Sequence, residues 1–368
     1  LLKIGVNVPK AFAVTTQACN LYNERMTLPD DFQGELLQNI LKLEKKTGKK
    51  LGGLENPLLL SVRSGAVISM PGMMDTILNL GLNFEVVEAL AKKNLRPKFA
   101  YNCYLRFIKM FSEIAGDIPK EAIDKQIADF AKAIKVEDID EADHKDIKTL
   151  CELLKLEYKK HTQTDFPETP IDQLTLAVKA VFDSWNNKRA VAYRNYYGIS
   201  HKLGTGVVVQ EMVFGNMGQN SATGVAFTRN PNTGEKQLFG EYLRNAQGED
   251  VVDGSSTPLN LSQLEIESPR LYEELYNTCQ KLESEFKDMQ DIEFTVEDGE
   301  LFILQTRVGK RTVKSAIKIA FDLFQSGTIT EEEMLMRINP KELPQLLHPV
   351  ISKTSRLQKI GQGLGVSF

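Results

Sequence analysis

Asp291-Ile292-Glu293-Phe294-Thr295-Val296-Glu297-Asp298-Gly299-Glu300-Leu301-Phe302-Ile303-Leu304-Gln305-Thr306-Arg307 reads as two β-strands joined by a tight loop. In the first strand Glu293 and Thr295 alternate with Ile292, Phe294 and Val296, and in the second Gln305 and Arg307 share a face. The loop decides which faces coincide. A two-residue Asp298-Gly299 turn sets Glu293 and Gln305 on opposite faces, whereas a three-residue Glu297-Asp298-Gly299 loop, with Gly299 left-handed in a bulge, brings them together. In the second arrangement Asp291, Glu293, Gln305 and Arg307 occupy one surface, with Ile292, Phe294 and Leu304 packed beneath. Oxygen ligands beside a guanidinium suit a magnesium triphosphate, the carboxylate holding the metal and the arginine neutralising phosphate charge. The plainer alternative is the solvated face of a half-buried sheet.

Outward from this hairpin the elements stay mixed. Upstream, a strand begins near Val207, another spans Val225 to Thr228, Asn230-Pro231-Asn232-Thr233-Gly234 makes a turn, and Gln237 to Tyr242 is a third strand. Ser268 and Pro269 open a helix carrying Leu271, Leu275, Leu282 and Phe286. Downstream, a helix runs through Ala316, Ala320 and Phe324, and Thr330 with Glu333 spells a capping box. Near the start, Ala11 to Val14 reads as a strand, Thr15 or Thr16 as an N-cap, and Phe32, Leu36, Ile40 and Leu43 as one helical stripe. From 82 to 167 the pattern is helical throughout, with Ile123, Ile127, Phe130, Ala131 and Ile134 in one stripe and Ile147, Leu150, Leu154 and Tyr158 in another. The reading is α+β, with 1–81 and 168–203 as one lobe, 82–167 as a helical insertion, 204–340 as a second lobe and 341–368 as a linker.

The 368 residues leave room for two or three domains, and 45 Lys and Arg against 49 Asp and Glu provide no cationic field for nucleic acid or an anionic membrane. Any phosphate must therefore meet local arginines or backbone amides. Every long apolar stretch is broken by a charge or proline before membrane-spanning length. Cys19, Cys103, Cys151 and Cys279 make no metal spacing and point to a reducing, cytoplasmic setting. His144, His161, His201 and His348 have no ligand or triad spacing and read as surface or linker residues, and neither a Walker nor a Rossmann glycine motif occurs.

A second candidate is Ser61-Val62-Arg63-Ser64-Gly65-Ala66. There the buried run Leu58 to Val62 delivers Arg63 to a turn of small residues where phosphate could approach; a structural arginine paired with a carboxylate is the competing reading. Met70-Pro71-Gly72-Met73-Met74-Asp75 reads as thioether packing rather than a metal loop.

These strings, with Leu-Asn-Leu-Gly-Leu-Asn at 78–83, Gln-Glu-Met-Val-Phe-Gly-Asn at 210–216, Gly-Val-Ala-Phe-Thr-Arg-Asn-Pro at 224–231, Asn-Ala-Gln-Gly-Glu-Asp-Val-Val at 245–252 and Gln-Thr-Arg at 305–307, closely resemble the nucleotide-binding domain of pyruvate phosphate dikinases. The resemblance runs nearly end to end. It implies an ATP-grasp fold of two lobes with a helical insertion, ATP and inorganic phosphate as ligands, magnesium with the ATP, and a monovalent cation as a further cofactor. It also implies transfer of the β-phosphoryl of ATP to a histidine on a separate swivelling phosphohistidine domain. By motif matching, Arg63 and Arg307 resemble the phosphate-neutralising groups, and Asp291, Glu293 and Gln305 the metal and phosphate ligands. Gln210, Glu211, Met212 and Val213 resemble the adenine-side strand, while Arg106, Glu249 and Asp250 are similar to residues near the inorganic phosphate.

The resemblance places the family's lysine-bearing glycine-rich loop before Leu1 and the acceptor-histidine domain after Phe368, with Gly361 to Ser367 similar to that domain's opening. The sequence is therefore expected to be a piece of a larger enzyme. Ser256 stands where the family usually has arginine. A non-catalytic ATP-binding module is the alternative from another class, which joining the histidine domain and looking for phosphohistidine distinguishes. The ATP-binding part of a pyruvate water dikinase is a third reading, separated by whether AMP release needs phosphate.

Overall fold

The computed structural model describes residues 1–68, 70, 72–94, 96–251, 257–347, 356, 358 and 361. Its elements are β1 (Ala11–Val14), α1 (Thr16–Arg25), α2 (Phe32–Thr47), β2 (Lys50–Leu51), β3 (Pro57–Leu58), β4 (Leu60–Gly65), β5 (Thr76–Leu80), α3 (Phe84–Asn94), α4 (Pro97–Ile114), α5 (Lys120–Ile134), α6 (His144–Thr162), α7 (Pro170–Ser184) and α8 (Lys188–Tyr197). They continue with β6 (Gly206–Glu211), β7 (Ala222–Phe227), β8 (Phe239–Arg244), β9 (Leu259–Asn260), α9 (Leu261–Glu267), α10 (Pro269–Phe286), β10 (Gln290–Glu297), β11 (Glu300–Val308), α11 (Val313–Gln325) and α12 (Glu331–Met336). The fold is α+β, of the ATP-grasp type. No helix among the described residues is long and apolar enough to cross a membrane.

Two compact units emerge: 1–224 with 242–259 and 293–305, and 225–241 with 260–292 and 306–368. The first holds a four-stranded sheet in the order β1-β6-β4-β5, its paired neighbours antiparallel. Alternation explains its core: Leu60, Val62, Val207 and Val209 are all fully buried. The predicted turn at 63–65 is corrected, because β4 continues to Gly65, with Ser64 opposite Val207 and Gly65 opposite Gly206. Small residues here admit the neighbouring strand rather than bend the chain; a Cβ on Gly65 would sit 3.3 Å from the Val208 side chain.

Residues 82–167 contain no strand among those described, and α4 packs on β5, α3 and α6. Both predicted stripes are present, with Ile123, Ile147, Leu150, Leu154 and Tyr158 buried. Phe32, Leu36, Ile40 and Leu43 likewise form the buried face of α2. Two proposed caps occupy the N-cap position without a side-chain hydrogen bond, Thr15 for α1 and Ser268 for α10. The capping box of Thr330 and Glu333 is complete.

In the second unit Met289, Ile319, Leu323 and Ile329 form a small core. Beside β7, Arg229 is almost fully buried and donates from Nε to Glu283 Oε1 at 2.9 Å and from Nη1 to Asp322 Oδ2 at 2.8 Å. Thr228 Oγ1 donates to the other Glu283 oxygen at 2.7 Å. The Asn230 to Gly234 turn forms as read, closed by Gly234 N donating to Asn230 O at 2.8 Å.

Candidate functional site

Strand β4 carries Arg63 in register with Val208 and Thr76, its side chain only partly exposed. Its Nη1 lies 3.5 Å from Glu293 Oε2, and Nε donates to Ser61 Oγ at 3.3 Å. The competing reading of Arg63, an arginine paired with a carboxylate, is thus the geometry present, and that carboxylate is the proposed metal ligand itself. An ion pair this accessible adds little stability, about 0 to 1 kcal/mol at most, so the pair does more to preset two charges than to hold the fold. In the second unit Arg307 Nη2 and Asp291 Oδ2 are 3.4 Å apart.

Of the two alternative loops, the two-residue one is present, which by itself would place Glu293 and Gln305 on opposite faces. Asp298 and Gly299 both take positive φ, 48° and 86°, the signature of a type I′ turn. Glu297 then stands opposite Glu300, a register that sets residue 293 opposite 304 and turns Gln305 to the other face. Yet at the far end Gly309 N donates to Met289 O at 2.9 Å, one residue out of that register. Strand β11 therefore takes up an extra residue, a bulge. Leu301 and Ile303 are buried in alternation, after which Leu304, Gln305, Thr306 and Arg307 are all half-buried. Beyond the bulge Asp291 faces Arg307. Ile292 and Phe294 are buried as expected, but Leu304 is not, because the two-residue turn sets it opposite Glu293, on the face away from Leu301 and Ile303.

Gln210 is buried in β6, its Nε2 donating to Pro9 O at 3.4 Å. Glu211 pairs with Lys49 at 2.7 Å, Met212 N donates to Leu59 O at 2.8 Å, and Val213 is half-buried. The strand leads to Phe214, whose N–H donates to Glu297 Oε2 at 2.5 Å. Burial pushes the Glu297 carboxyl above its ordinary value near 4.5, opposed by the Phe214 N–H. The folded form therefore binds its proton more tightly than the unfolded chain, and ionising it in the fold opposes stability. This cost is absent below the unfolded value and sets in as pH rises through the folded one. Glu297→Gln should accordingly reduce the fall in urea midpoint as pH rises above about 4.5; an unchanged slope would show that Glu297 is not its source.

Arg106 Nη1 bonds Asp250 Oδ1 at 2.6 Å on the wall of a cavity of about 1150 Å³ in the first unit. That wall carries six cationic side chains, Arg96, Lys98, Arg106, Lys109, Lys120 and Arg244, against four carboxylates, so its field favours an anion. The side chain of Glu249 lies outside the described residues, as do Ser256, His348 and 362–367.

Sequence reading missed Asn79 and Gln247. Their side-chain amides bond each other reciprocally, at 3.2 and 3.3 Å, while the Gln247 N–H donates to Asp250 Oδ2 at 2.7 Å. Nothing in a Leu-Asn-Leu string signals that its asparagine is buried in a sheet. Of the histidines, His161 pairs with Glu157 at 2.9 Å on an exposed helix face, and His144 lies 2.7 Å from Asp143. His201 does more than the surface role expected of it, accepting from the buried Arg194 Nε at 3.0 Å. The four cysteines are free and buried, and burial pushes the Cys103 thiol up to about 12.

No three His, Cys, Asp or Glu groups among the described residues lie close enough to hold a metal ion by themselves. A magnesium ion fits this set only as it usually binds nucleotides, through one or two protein oxygens with phosphate oxygens completing the shell. Glu293 and Gln305 in the first unit, and Asp291 in the second, each carry an oxygen donor of that kind.

Residues 24–263 and 259–327 match the family described as pyruvate phosphate dikinase, AMP/ATP-binding domain. The chain is 50% identical over 365 residues to the pyruvate, phosphate dikinase of Clostridium symbiosum, covering 98% of this chain and 41% of that protein. It is 44% identical over 380 residues to the enzyme of Rhizobium meliloti, and 46% identical over 370 residues to pyruvate, phosphate dikinase 2 of Zea mays, covering 100% of this chain and 42% of each relative. The chain thus spans about two fifths of the length of these relatives. With matched residues extending over most of its length, the chain belongs to the pyruvate phosphate dikinase AMP/ATP-binding domain family.

Proposed function

We propose that this chain is the part of a cytoplasmic pyruvate phosphate dikinase that holds ATP and inorganic phosphate for the first half-reaction. The β-phosphoryl group passes to a histidine on a separate swivelling domain, AMP leaves, and inorganic phosphate takes the γ-phosphoryl to become pyrophosphate. The phosphohistidine later phosphorylates pyruvate to phosphoenolpyruvate. The observation that carries the reading is the convergence of Arg63 with Glu293 at 3.5 Å, two residues 230 positions apart whose types suit a metal-bound triphosphate.

The chain's own residues act by position and charge, as phosphoryl transfer requires. Arg63 and Arg307 neutralise phosphate oxygens, and each already has a carboxylate partner, Glu293 and Asp291, that can exchange it for phosphate or metal. Gln210 to Val213 line the adenine side, and Arg106 with Asp250 and Glu249 receives the inorganic phosphate. Glu293, Gln305 and Asp291 would hold a magnesium ion that comes with ATP, and the ion would draw off phosphate charge there. The lobes of this reading are 1–81 with 168–203 and 204–340, with 82–167 as the helical insertion and 341–368 leading toward the phosphohistidine domain.

Calorimetry of this chain should register saturable Mg-ATP binding at submillimolar to millimolar nucleotide, and Arg63→Ala should weaken it roughly ten- to a hundredfold, the worth of one charge-assisted hydrogen bond. Absence of saturation in the parent chain would overturn the reading.

A further inference from the structure

Strand β5 contains an irregularity with no role in the sheet itself. Leu60 pairs with Leu80 but Val62 pairs with Ile77, so one extra residue is accommodated in β5 around Leu78 and Asn79. Asn79 adopts φ 59° there while fully buried between Leu78 and Leu80. A non-glycine residue in the left-handed region inside a strand costs about 1 to 3 kcal/mol, and such strain persists where the surroundings over-determine it, often beside functional sites. A bulge re-aims a side chain, and this one sends the Asn79 amide to Gln247.

Gln247 is itself buried and joins three segments. Its Nε2 donates to Asn79 Oδ1 at 3.3 Å and lies 3.4 Å from Asn216 Oδ1 and 3.7 Å from Cys103 Sγ on α4. Its backbone N–H donates to Asp250 Oδ2 at 2.7 Å, and its carbonyl accepts from the Asp250 N–H at 3.0 Å. The other Asp250 oxygen receives Arg106, one helical turn after Cys103. One chain of links, Asn79 to Gln247 to Asp250 to Arg106, thus runs from the bulge to the guanidinium on the cavity wall.

We infer that Asn79 and Gln247 are positioning residues: their reciprocal amide pair locks the 247–250 turn so that Asp250 presents the Arg106 guanidinium to a phosphate-type oxyanion in the cavity. This rests on the reading of Arg106 and Asp250 as the inorganic phosphate site. Neither amide touches the anion. Without them the turn keeps its local hydrogen bonds but loses its anchor to the sheet, and Arg106 is held less well for binding.

The test titrates inorganic phosphate, and separately Mg-ATP, into this chain and into Arg106→Ala, Asn79→Gly, Gln247→Ala and the Asn79→Gly/Gln247→Ala double variant. Glycine takes φ 59° without strain, so Asn79→Gly removes the amide while relieving the backbone. Asn79→Gly and Gln247→Ala should each weaken phosphate binding about tenfold, the double variant no more than either alone, and Mg-ATP affinity should stay within about twofold. Unchanged phosphate affinity in both single variants, additive losses in the double variant, or a parallel loss of Mg-ATP binding would overturn the inference. A parent chain that takes up no phosphate, or an Arg106→Ala chain that binds it as well as the parent, would overturn the underlying phosphate-site reading and the inference with it.

Discussion

Replacing Glu283 by Leu should destabilise the protein by about 3 to 5 kcal/mol, the usual result of leaving a buried charge without its partner. Arg229 and Glu283 are both almost fully buried, 3% and 4% exposed, and are joined at 2.9 Å. Removing the carboxylate leaves the guanidinium with Asp322 as its acidic partner among the described residues and strips the Thr228 hydroxyl of its acceptor. Glu283→Gln keeps an acceptor for Thr228 and should cost less. The double replacement Arg229→Met/Glu283→Leu should recover part of the loss, because the penalty comes from the unpaired charge rather than from missing attraction. Urea unfolding of the four chains decides. A Glu283→Leu loss below about 1 kcal/mol would mean that water or Asp322 satisfies Arg229 without Glu283.

Glu293→Ala has the opposite profile. In a full-length enzyme carrying the acceptor histidine, it should lower the rate of histidine phosphorylation by about a hundred- to a thousandfold, as expected when a metal ligand and its charge are removed from a phosphoryl-transfer site. Stability should change little. The Glu293 carboxylate buries little apolar area and its pair with Arg63 is partly solvated, with side chains 30% and 18% exposed. Losing it also leaves Arg63 without this partner, so nucleotide affinity need not fall in step with the rate. Rapid-quench measurement of phosphohistidine at saturating Mg-ATP separates the two effects. A variant that phosphorylates its histidine at the parent rate would remove Glu293 from the reaction.

The contrast between these carboxylates was only half legible in the sequence. Glu293 stood out because it alternates with apolar residues in a hairpin beside Gln-Thr-Arg. Glu283 sits in a helix, 54 positions from Arg229, and no local pattern marks it as buried. Asn79 and Gln247 are hidden for the same reason, 168 positions apart and meaningful only as a pair.

Local periodicity by itself determined the stripes of α2, α5 and α6, the Asn230 to Gly234 turn, the capping box at Thr330 and the α+β class, since each depends on residues within a few positions of one another. Long ungapped strings likewise carried the family. Tertiary structure decided the registers. Asp298-Gly299 chose the two-residue turn, as its dipeptide favours, and the pairing of Gly309 with Met289 shows a one-residue shift by the far end of β11. A second bulge aimed Asn79 at Gln247. A bulge stabilises nothing within its own strand; it persists because distant partners are satisfied by the shifted side chain, and those partners are adjacent only after the chain has folded.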